Sequence, residues 1–172
     1  MMEHSRTIRN LVLLKFLHGF FLLVLCTMSS CPESEAFPSP TLLVNESNRL
    51  ALLDFKKRIT KDPLSVMSSW NHSIHFCSWV GITCHRATQR VLILELEDKQ
   101  LVGSIPPSIG NLTRLIDISL GINKFHGEIP QELGHLRTLE SLNLSFNSLG
   151  GKIPTNMSHC TQLRVFFLSL FQ

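Results

Sequence analysis

The chain of 172 residues contains no tyrosine, only two tryptophans and few charged residues. Charged side chains make up 17% of the sequence against 44% hydrophobic residues, which excludes a long, highly charged disordered chain. The net charge is +3 and the basic residues are scattered, so composition does not indicate a nucleic-acid partner. The five cysteines cannot all pair with one another. Leucine is the residue in excess, with 29 copies, which is typical of a membrane segment, a coiled coil or a leucine-based repeat.

The sequence also lacks the short motifs that carry common catalytic chemistry. It contains no Gly-x-Ser-x-Gly turn, no His-Glu-x-x-His helix, no Gly-x4-Gly-Lys-Ser/Thr phosphate loop and no protein-kinase signature. The acidic residues and histidines are dispersed along the chain. We therefore expect a protein that is not an enzyme and that needs no cofactor. The length excludes a complete membrane receptor with a catalytic domain.

Residues 1–30 have the pattern of a secretory signal peptide. Basic residues precede the apolar run Phe16–Cys26, and the small residues Ser29–Ser30 follow it. An uncleaved membrane anchor is the alternative, but the apolar region contains Lys15 and is shorter than the roughly 20 residues that a spanning helix needs. No later run is long enough to span a bilayer. Residues 31–45 are expected to be a linker.

Five Asn-x-Ser/Thr sequons agree with export through the secretory pathway. One such motif would arise easily by chance, whereas five behind a signal segment indicate a glycoprotein. The alternative is that asparagine and serine are abundant for structural reasons. The predicted glycosylation sites are Asn45, Asn71, Asn111, Asn143 and Asn156.

A repeat of 24 residues fills the second half of the chain, as residues 91–114, 115–138 and 139–162, with an incomplete copy at 163–172. Each copy begins with Leu-x-x-Leu-x-Leu or a close variant, whose final alternation predicts a short strand with one buried face. Stacked copies would form a parallel sheet, and stability would come from the stacking, because one repeat cannot bury its own apolar edge.

Three further positions that recur in the repeat can be explained physically. Asn123 and Asn147 follow each strand, where a buried amide can bond the backbone of the turn and of its neighbour. The first repeat has Lys99 at this place, so we expect a weaker ladder there. A glycine column permits a tight turn. A proline column after a buried isoleucine is expected to block helix initiation.

These columns resemble the plant-type leucine-rich repeat. The segments "GSIPPSIGNLTRL" and "GEIPQELGHLRTLESLNLSFNSLGGKIP" are similar to ectodomains of plant leucine-rich-repeat receptor-like kinases, and the likeness covers about residues 46–170. The resemblance implies an α/β horseshoe-like solenoid with parallel strands on its concave side and 3₁₀ or irregular segments on its convex side. It also implies a peptide or protein ligand on the concave face and a co-receptor ectodomain as a further partner.

The segment before the repeats, residues 46–86, looks like the N-terminal cap of the same family. An apolar stripe within Asn48–Ile59 predicts an amphipathic helix, with Ser47 as its N-cap. Asp62 and Pro63 are expected to open a second short helix. The cap would shield the apolar edge of the first repeat.

The family resemblance implies a disulfide between Cys77 and Cys84 of the motif "CSWVGITC". A zinc site is the alternative, because histidines lie close in sequence at positions 72, 75 and 85, but export favours the disulfide. Cys160 occupies a leucine column and is expected to be a buried free thiol. Cys26 would leave with the signal peptide, and the fate of Cys31 stays open.

The outward positions of the predicted strands form the candidate ligand-binding surface. The first repeat is acidic there, which favours a basic partner at that end, although a plain solvated face is the alternative. A glycan on Asn143 would project from this face and obstruct part of it. The candidate residues are Glu95, Glu97, Asp98, Asp117, Ser119, Ser141 and Phe146.

The final residues break the repeat, since Phe171 stands in the asparagine column. The apolar run Val165–Phe171 would be prone to aggregate at a solenoid end. The sequence therefore predicts a receptor-like ectodomain truncated before any membrane span and kinase, located outside the cell or on the outer face of the plasma membrane. The alternatives are a free secreted repeat protein similar to inhibitors of wall-degrading enzymes, and a non-functional fragment.

Overall fold

The computed structural model describes residues 40–169. The predicted signal peptide, most of the predicted linker, Cys26 and Cys31 lie outside these residues. In chain order the helix and strands are α1 (Pro40–Arg58), β1 (Ile59–Lys61), β2 (Ile82–Cys84), β3 (Val91–Glu95), β4 (Val102–Gly103), β5 (Asp117–Ser119), β6 (Lys124–Glu128), β7 (Ser141–Asn143), β8 (Ser148–Gly150) and β9 (Val165–Phe167). Short 3₁₀ helices connect them at Val66–Ser69, Phe76–Ser78, Pro107–Asn111, Gln131–His135 and Thr155–His159.

Helix α1 begins earlier than its apolar stripe predicts. It starts at Pro40 instead of Asn48, so the predicted N-cap Ser47 lies inside the helix and part of the predicted linker 31–45 is helical. Proline suits the first turn of a helix because its missing N–H has no intrahelical partner there. Asn48 is buried, and its Nδ2 donates to the Val44 carbonyl one turn back, at 2.9 Å. The side chain therefore bonds within the helix instead of marking its start.

The inner face of α1 packs against the first repeat. Leu52 and Phe55 are fully buried, and the Phe55 ring lies 5.9 Å from the ring of Phe125 in the second repeat. The Ser108 hydroxyl donates to the Asp54 carboxylate at 2.6 Å, across 54 residues of sequence. Helix α1 is thus tied to the repeats by both apolar contact and a hydrogen bond.

The short helix predicted at Asp62 and Pro63 is displaced by a few residues. A 3₁₀ helix spans Val66–Ser69, and the Asp62 carboxylate accepts the backbone N–H groups of Val66 and Met67 at 2.9 and 2.7 Å. Asp62 therefore caps this helix from a distance instead of beginning it. The carboxylate satisfies two N–H donors that the helix itself leaves unpaired.

The first sheet carries the repeat. Its order is β2-β3-β5-β7-β9, with β2 antiparallel to β3 and the other pairs parallel. The parallel strands are in register at steps of 24 residues, so Ile93 pairs with Asp117, Asp117 with Ser141 and Ser141 with Val165. The sheet confirms the predicted solenoid class.

The leucine columns of the strands form the core, as their alternation predicts. Each strand, with the residues that flank it, turns three apolar side chains inward, and in the first three repeats these are almost completely buried. The buried members are Val91, Leu94, Leu96, Leu115, Ile118, Leu120, Leu139, Leu142 and Leu144. The isoleucine column is only partly buried: Ile105 and Ile129 are covered, whereas Ile153 is 47% exposed.

A second sheet, with the order β1-β4-β6-β8, was not anticipated from the sequence. Strand β1 leaves α1 directly and pairs antiparallel with β4, which joins the cap to the first repeat. The approach is close at Gly103, where an added Cβ would lie 2.4 Å from the Arg58 carbonyl oxygen. Glycine is therefore required at this junction.

The predicted asparagine ladder is present. Asn123 Oδ1 accepts the backbone N–H of Leu101 at 2.9 Å, and its Nδ2 donates to the Leu96 carbonyl at 2.7 Å. Asn147 repeats the pattern one step along, accepting from Phe125 at 2.9 Å. Both amides are buried and pair with backbone groups of the preceding repeat, which leaves few polar atoms unsatisfied in the turns.

The proline column does not prevent helix formation. A 3₁₀ helix begins one residue after each of Pro106, Pro130 and Pro154, and each proline occupies its N-cap position with an extended backbone. Proline sets the chain direction before a turn whose first N–H groups need no intrahelical partner. The prediction that these prolines block helix initiation is thus wrong, because a 3₁₀ helix begins at the next residue. These 3₁₀ helices line the side opposite to the first sheet.

Candidate binding face on the parallel sheet

The outward side of β3, β5, β7 and β9, with the turn that follows each strand, forms one continuous surface that we call the strand face. Since the strands are parallel and in register, residues one repeat apart lie side by side on this surface. All seven candidate residues fall on it. Glu95, Asp98 and Phe146 are exposed, and Glu97, Asp117, Ser119 and Ser141 are half-buried.

The carboxylates of the strand face carry uncompensated negative charge. Glu95, Glu97, Asp98 and Asp117 come from two adjacent repeats, and within residues 40–169 none of them lies within 4 Å of a basic nitrogen. The Oδ1 atom of Asp117 is buried and accepts no hydrogen bond from the described residues. A buried acceptor without a donor is costly to the fold. The negative charge of the four carboxylates as a group would attract a positively charged partner.

A hydrogen-bonded relay links three repeats across this face. The Ser119 hydroxyl donates to Glu97 Oε2 at 2.6 Å, and Asn143 Nδ2 donates to the same oxygen at 3.2 Å. Asn143 Oδ1 in turn accepts the Ser145 hydroxyl at 2.7 Å and the Ser145 N–H at 3.1 Å. The relay holds Glu97 in one orientation, and sequence reasoning did not anticipate it because it depends on side-chain direction.

The turns after the strands contain residues in an unusual backbone conformation, and two of these residues are large and apolar. Asp98, Ile122 and Phe146 occupy equivalent positions and all have a φ of 52°, in the left-handed region. This region is disfavoured for residues with a Cβ, and most strongly for β-branched ones such as isoleucine. Ile122 is 47% exposed and Phe146 is 67% exposed. The turns therefore present two neighbouring apolar side chains to solvent.

Two more apolar residues extend this exposed edge. Val165 and Phe167 on β9 are 39% and 58% exposed, and Phe167 pairs in register with Asn143. The 24-residue step places them beside Ser141 and Asn143, and that step could have identified them as members of the candidate surface. The strand face thus changes from acidic on the first repeat, through both Asp117 and Ile122 on the second, to apolar on the later ones.

The N-terminal end of the strands is basic. Arg90 precedes β3, and its Nη2 donates to the Thr113 hydroxyl at 2.7 Å. Burial lowers the pKa of Arg90 below its ordinary value, and the neighbouring charge of Arg114 lowers it further. Around β3, positive charge thus precedes the strand at Arg90, and the carboxylates of Glu97 and Asp98 follow it beside Lys99.

Comparison with known proteins places this architecture in a family. The family profile described as "Leucine rich repeat N-terminal domain" matches residues 45–85, and the one described as "Leucine Rich Repeat" matches residues 138–160. The crystal structure of the BIR3–SERK2 complex from Arabidopsis thaliana contains a chain of 33% identity, with a TM-score of 0.64 over 70% of this chain and 69% of that one. This chain belongs to the plant leucine-rich-repeat receptor-like kinase family.

Two other members of the family illustrate its range. A probable leucine-rich-repeat receptor-like serine/threonine-protein kinase of Arabidopsis thaliana is 49% identical over 81 residues, which cover 47% of this chain and 8% of the relative. The crystal structure of PEPR1–AtPEP1 superposes with a TM-score of 0.69 at 34% identity, over 73% of this chain and 18% of that one. The chain therefore spans less than a tenth of the length of the curated relative.

The N-terminal cap of this leucine-rich-repeat chain contains the disulfide that the family resemblance implies. Cys77 and Cys84 are joined, with their Cα atoms 5.5 Å apart. Their sulfurs are therefore not thiolate ligands, and no group of metal-binding side chains occurs among residues 40–169. Trp70 and Trp79 stack beside the bridge at 5.3 Å between ring centroids.

Cys160 is a buried thiol that contacts the Leu133 carbonyl at 3.2 Å. Burial raises the pKa of the Cys160 thiol, because the low-dielectric surroundings disfavour the thiolate. A raised pKa makes a thiol unreactive near neutral pH. The structure thus agrees with the interpretation of Cys160 as a small apolar residue of the core.

The five predicted glycosylation sites differ sharply in position. Asn45 lies within α1, Asn71 follows the first 3₁₀ helix, and Asn111 and Asn156 lie on 3₁₀ helices of the repeats. Asn143 is the member that lies on the strand face. Glycosylation at all five stays a prediction. In the part of the chain that the structure describes, no helix is long and apolar enough to cross a membrane.

Proposed function

We propose that this chain is part of the extracellular binding domain of a plant leucine-rich-repeat receptor-like kinase and that its strand face binds a peptide or protein ligand. Its role would be ligand perception in defence or developmental signalling. The observation that carries the proposal is that one open face holds uncompensated carboxylates on the first two repeats and exposed apolar side chains from the second repeat onward. Both solved structures described above are complexes, which supports a binding role.

The chemistry of the face specifies the kind of ligand. A basic side chain would lie against Glu95, Glu97 and Asp117, where it would offset their uncompensated negative charge. An apolar side chain would lie against Ile122 and Phe146, whose exposed surface would be removed from water. A peptide with one basic and one apolar residue can make both contacts at once.

The charge direction along the strands orients such a peptide. Arg90 and Arg114 lie before the strands and would repel a cation, whereas Asp98 lies after the strand of the first repeat and would attract one. We therefore infer that the basic group of the ligand lies among the carboxylates of the first two repeats, on the side away from Arg90 and Arg114. A signal peptide at 1–30, a cap at 46–86 and exposure to the apoplast belong to the same proposal.

A matched set of short synthetic peptides tests this function. The full chain, with Asn143→Gln so that no glycan is added to the strand face, would be secreted from plant cells, immobilised and exposed to peptides that contain one Arg and one Phe. Parallel peptides would have Glu in place of Arg or Ser in place of Phe. The first set should bind most strongly, and its affinity should fall as salt rises, because the basic contact is electrostatic.

A pair of variants locates the binding. Asp117→Ala removes a carboxylate from the strand face and should weaken binding of the Arg–Phe peptide. Glu128→Gln removes an exposed carboxylate from β6 in the second sheet and should leave binding unchanged. Equal binding of all peptides, or an equal loss in both variants, would contradict the proposal.

A further inference from the structure

Asn143 occupies a position that makes its sequon unlike the other four. It lies on β7 between Ser119 of the preceding strand and Phe167 of the following one, in the middle of the strand face. Its side chain is half-buried and packs on Gly121, where an added Cβ would come within 2.7 Å of Asn143 Nδ2. The nitrogen that would carry a glycan therefore lies close to the surface of the sheet.

The same nitrogen is part of the relay. Asn143 Nδ2 donates to Glu97 Oε2 at 3.2 Å, and Glu97 is a carboxylate that the proposed function assigns to the ligand. Ser145, the third residue of the sequon, bonds Asn143 Oδ1 through both its hydroxyl and its N–H. The unmodified amide is thus held flat against the face by groups from two other repeats and by its own sequon serine.

A glycan at this atom would have a large local effect. The transfer forms a bond between Asn143 Nδ2 and C1 of an N-acetylglucosamine, breaks the C1–O bond to a lipid diphosphate that carries the oligosaccharide, and releases the amide proton. The atom that would carry the sugar, Asn143 Nδ2, lies 3.2 Å from Glu97 Oε2, and the sugar would extend into the space above the strands. That is the space in which the proposed ligand would lie.

We propose that Asn143 is a glycosylation switch of the strand face: the bare amide completes the relay and leaves the face open, whereas a glycan on Nδ2 covers Glu97 and closes the face to a peptide. This inference rests on the proposed function for the identity of what is excluded. The claim that the glycan covers the face does not depend on which ligand binds there.

Two substitutions of the sequon serine separate the two states. Ser145→Thr keeps the sequon and the hydroxyl, whereas Ser145→Ala removes both and leaves Asn143 bare. Asn143→Gln is a second bare variant that retains an amide. Ser158→Ala removes the Asn156 sequon on a 3₁₀ helix of the third repeat and serves as the matched control.

The experiment measures glycan occupancy and carboxylate accessibility on the full secreted chain. Glycopeptide mass spectrometry would quantify the glycan on Asn143, and carbodiimide labelling would report the accessibility of Glu95, Glu97 and Asp117, with Glu128 on the second sheet as the reference. In molecules with a glycan on Asn143, labelling of the three strand-face carboxylates should be several-fold lower than in Ser145→Ala and Asn143→Gln. Labelling of Glu128 should be equal throughout, and Ser158→Ala should label like the wild type.

Two results would overturn the switch. One is the absence of any glycan on Asn143 in both the wild type and Ser145→Thr. The other is equal labelling of the strand-face carboxylates with and without the glycan. A failure of the Arg–Phe peptide to bind the bare variants would instead contradict the proposed function, and the labelling result would still decide whether the glycan covers the face.

Discussion

The Ser119 hydroxyl donates a hydrogen bond of 2.6 Å to the carboxylate of Glu97, which lies 22 residues earlier in the chain. The two side chains meet because parallel strands of successive repeats lie in register and turn the same positions outward. The 24-residue repeat thereby forms one surface from residues that are distant in sequence. This surface, and not any single repeat, is what a ligand would contact.

The relay should contribute measurably to stability. Glu97→Gln keeps an acceptor but removes the charge, so we expect the free energy of unfolding to fall by about 1 kcal/mol, since hydrogen bonds to charged groups are stronger than neutral ones. Ser119→Ala should have a similar effect. The double variant should lose less than the sum, because both changes act on the same charge-assisted hydrogen bond. Urea unfolding of the four proteins gives the coupling energy, and strict additivity would show that the bond is absent in solution.

The asparagine ladder should matter more than the relay. Asn147→Ala would leave the buried N–H of Phe125 and the Leu120 carbonyl without their partners at 2.9 Å. We expect a loss of about 2 to 3 kcal/mol in unfolding free energy, the cost of leaving buried backbone groups unsatisfied. Lys124→Ala, at an exposed position beside the ladder, should change stability by less than about 0.5 kcal/mol. Similar values for the two variants in thermal unfolding would refute the ladder as a stabilising element.

Much of this fold could be predicted from the sequence, because the 24-residue step fixes which side chains share a column. The burial of Leu94, Ile118 and Leu142 follows from alternation within each strand. The predicted start of α1 was wrong because Pro40 stands outside the apolar stripe that defined the predicted helix. The second sheet was missed because its strands are only two to five residues long and contain glycine.

The candidate surface could be predicted by position but not by interaction. All seven candidate residues lie on the strand face, since their placement needs only the register. The relay through Glu97 and the left-handed backbone of Ile122 and Phe146 require side-chain directions and turn geometry that one sequence does not specify. The unsatisfied Asp117 oxygen is likewise visible only in the folded chain.

The junction between cap and repeats should be intolerant of a side chain at Gly103. Gly103→Ala would place a Cβ 2.4 Å from the Arg58 carbonyl oxygen and 3.0 Å from Ile59 Cα, so the backbone of β1 would have to move. We expect a loss of about 1 to 3 kcal/mol, typical of overpacking. At Gly150 no heavy atom lies within 4 Å of an added Cβ, and Gly150→Ala should be neutral or slightly stabilising. Equal melting temperatures for the two variants would contradict the close approach.

The strained turns should show a trade-off between stability and binding. Ile122→Asn replaces a β-branched residue at a φ of 52° with one that adopts this conformation more readily, so we expect stability to rise by about 1 kcal/mol. Affinity for the Arg–Phe peptide should fall, because an apolar contact is removed. Ile93→Asn, in regular strand conformation on the same face, has no such strain to relieve and should destabilise the protein. A loss of stability in Ile122→Asn equal to that in Ile93→Asn would argue against stored strain.

The buried thiol predicts a pH dependence of stability. Burial raises the pKa of Cys160 above its value in the unfolded chain, which is about 8.5 for a free cysteine. Below that pH both states hold the proton, and the contribution is fully present. As pH rises toward the folded pKa, the unfolded state releases its proton first, so unfolding becomes more favourable and stability falls. Cys160→Ala should lack this loss of stability at alkaline pH. The measurement compares urea midpoints at about pH 7 and about pH 9, on either side of the free-cysteine pKa. An identical pH dependence in both proteins would exclude a contribution from the Cys160 thiol.

The location of a bound peptide tests the central claim most directly. A photo-crosslinking form of the Arg–Phe peptide would be bound to the full secreted chain with Asn143→Gln, which leaves the face free of a glycan. The complex would be irradiated, and the attachment sites would be mapped by mass spectrometry. We expect attachment within residues 91–98, 115–122 and 139–146, which belong to the strand face. Attachment mainly to the 3₁₀ helices at Pro107–Asn111 and Gln131–His135, or to α1, would contradict the assignment of the strand face as the binding surface.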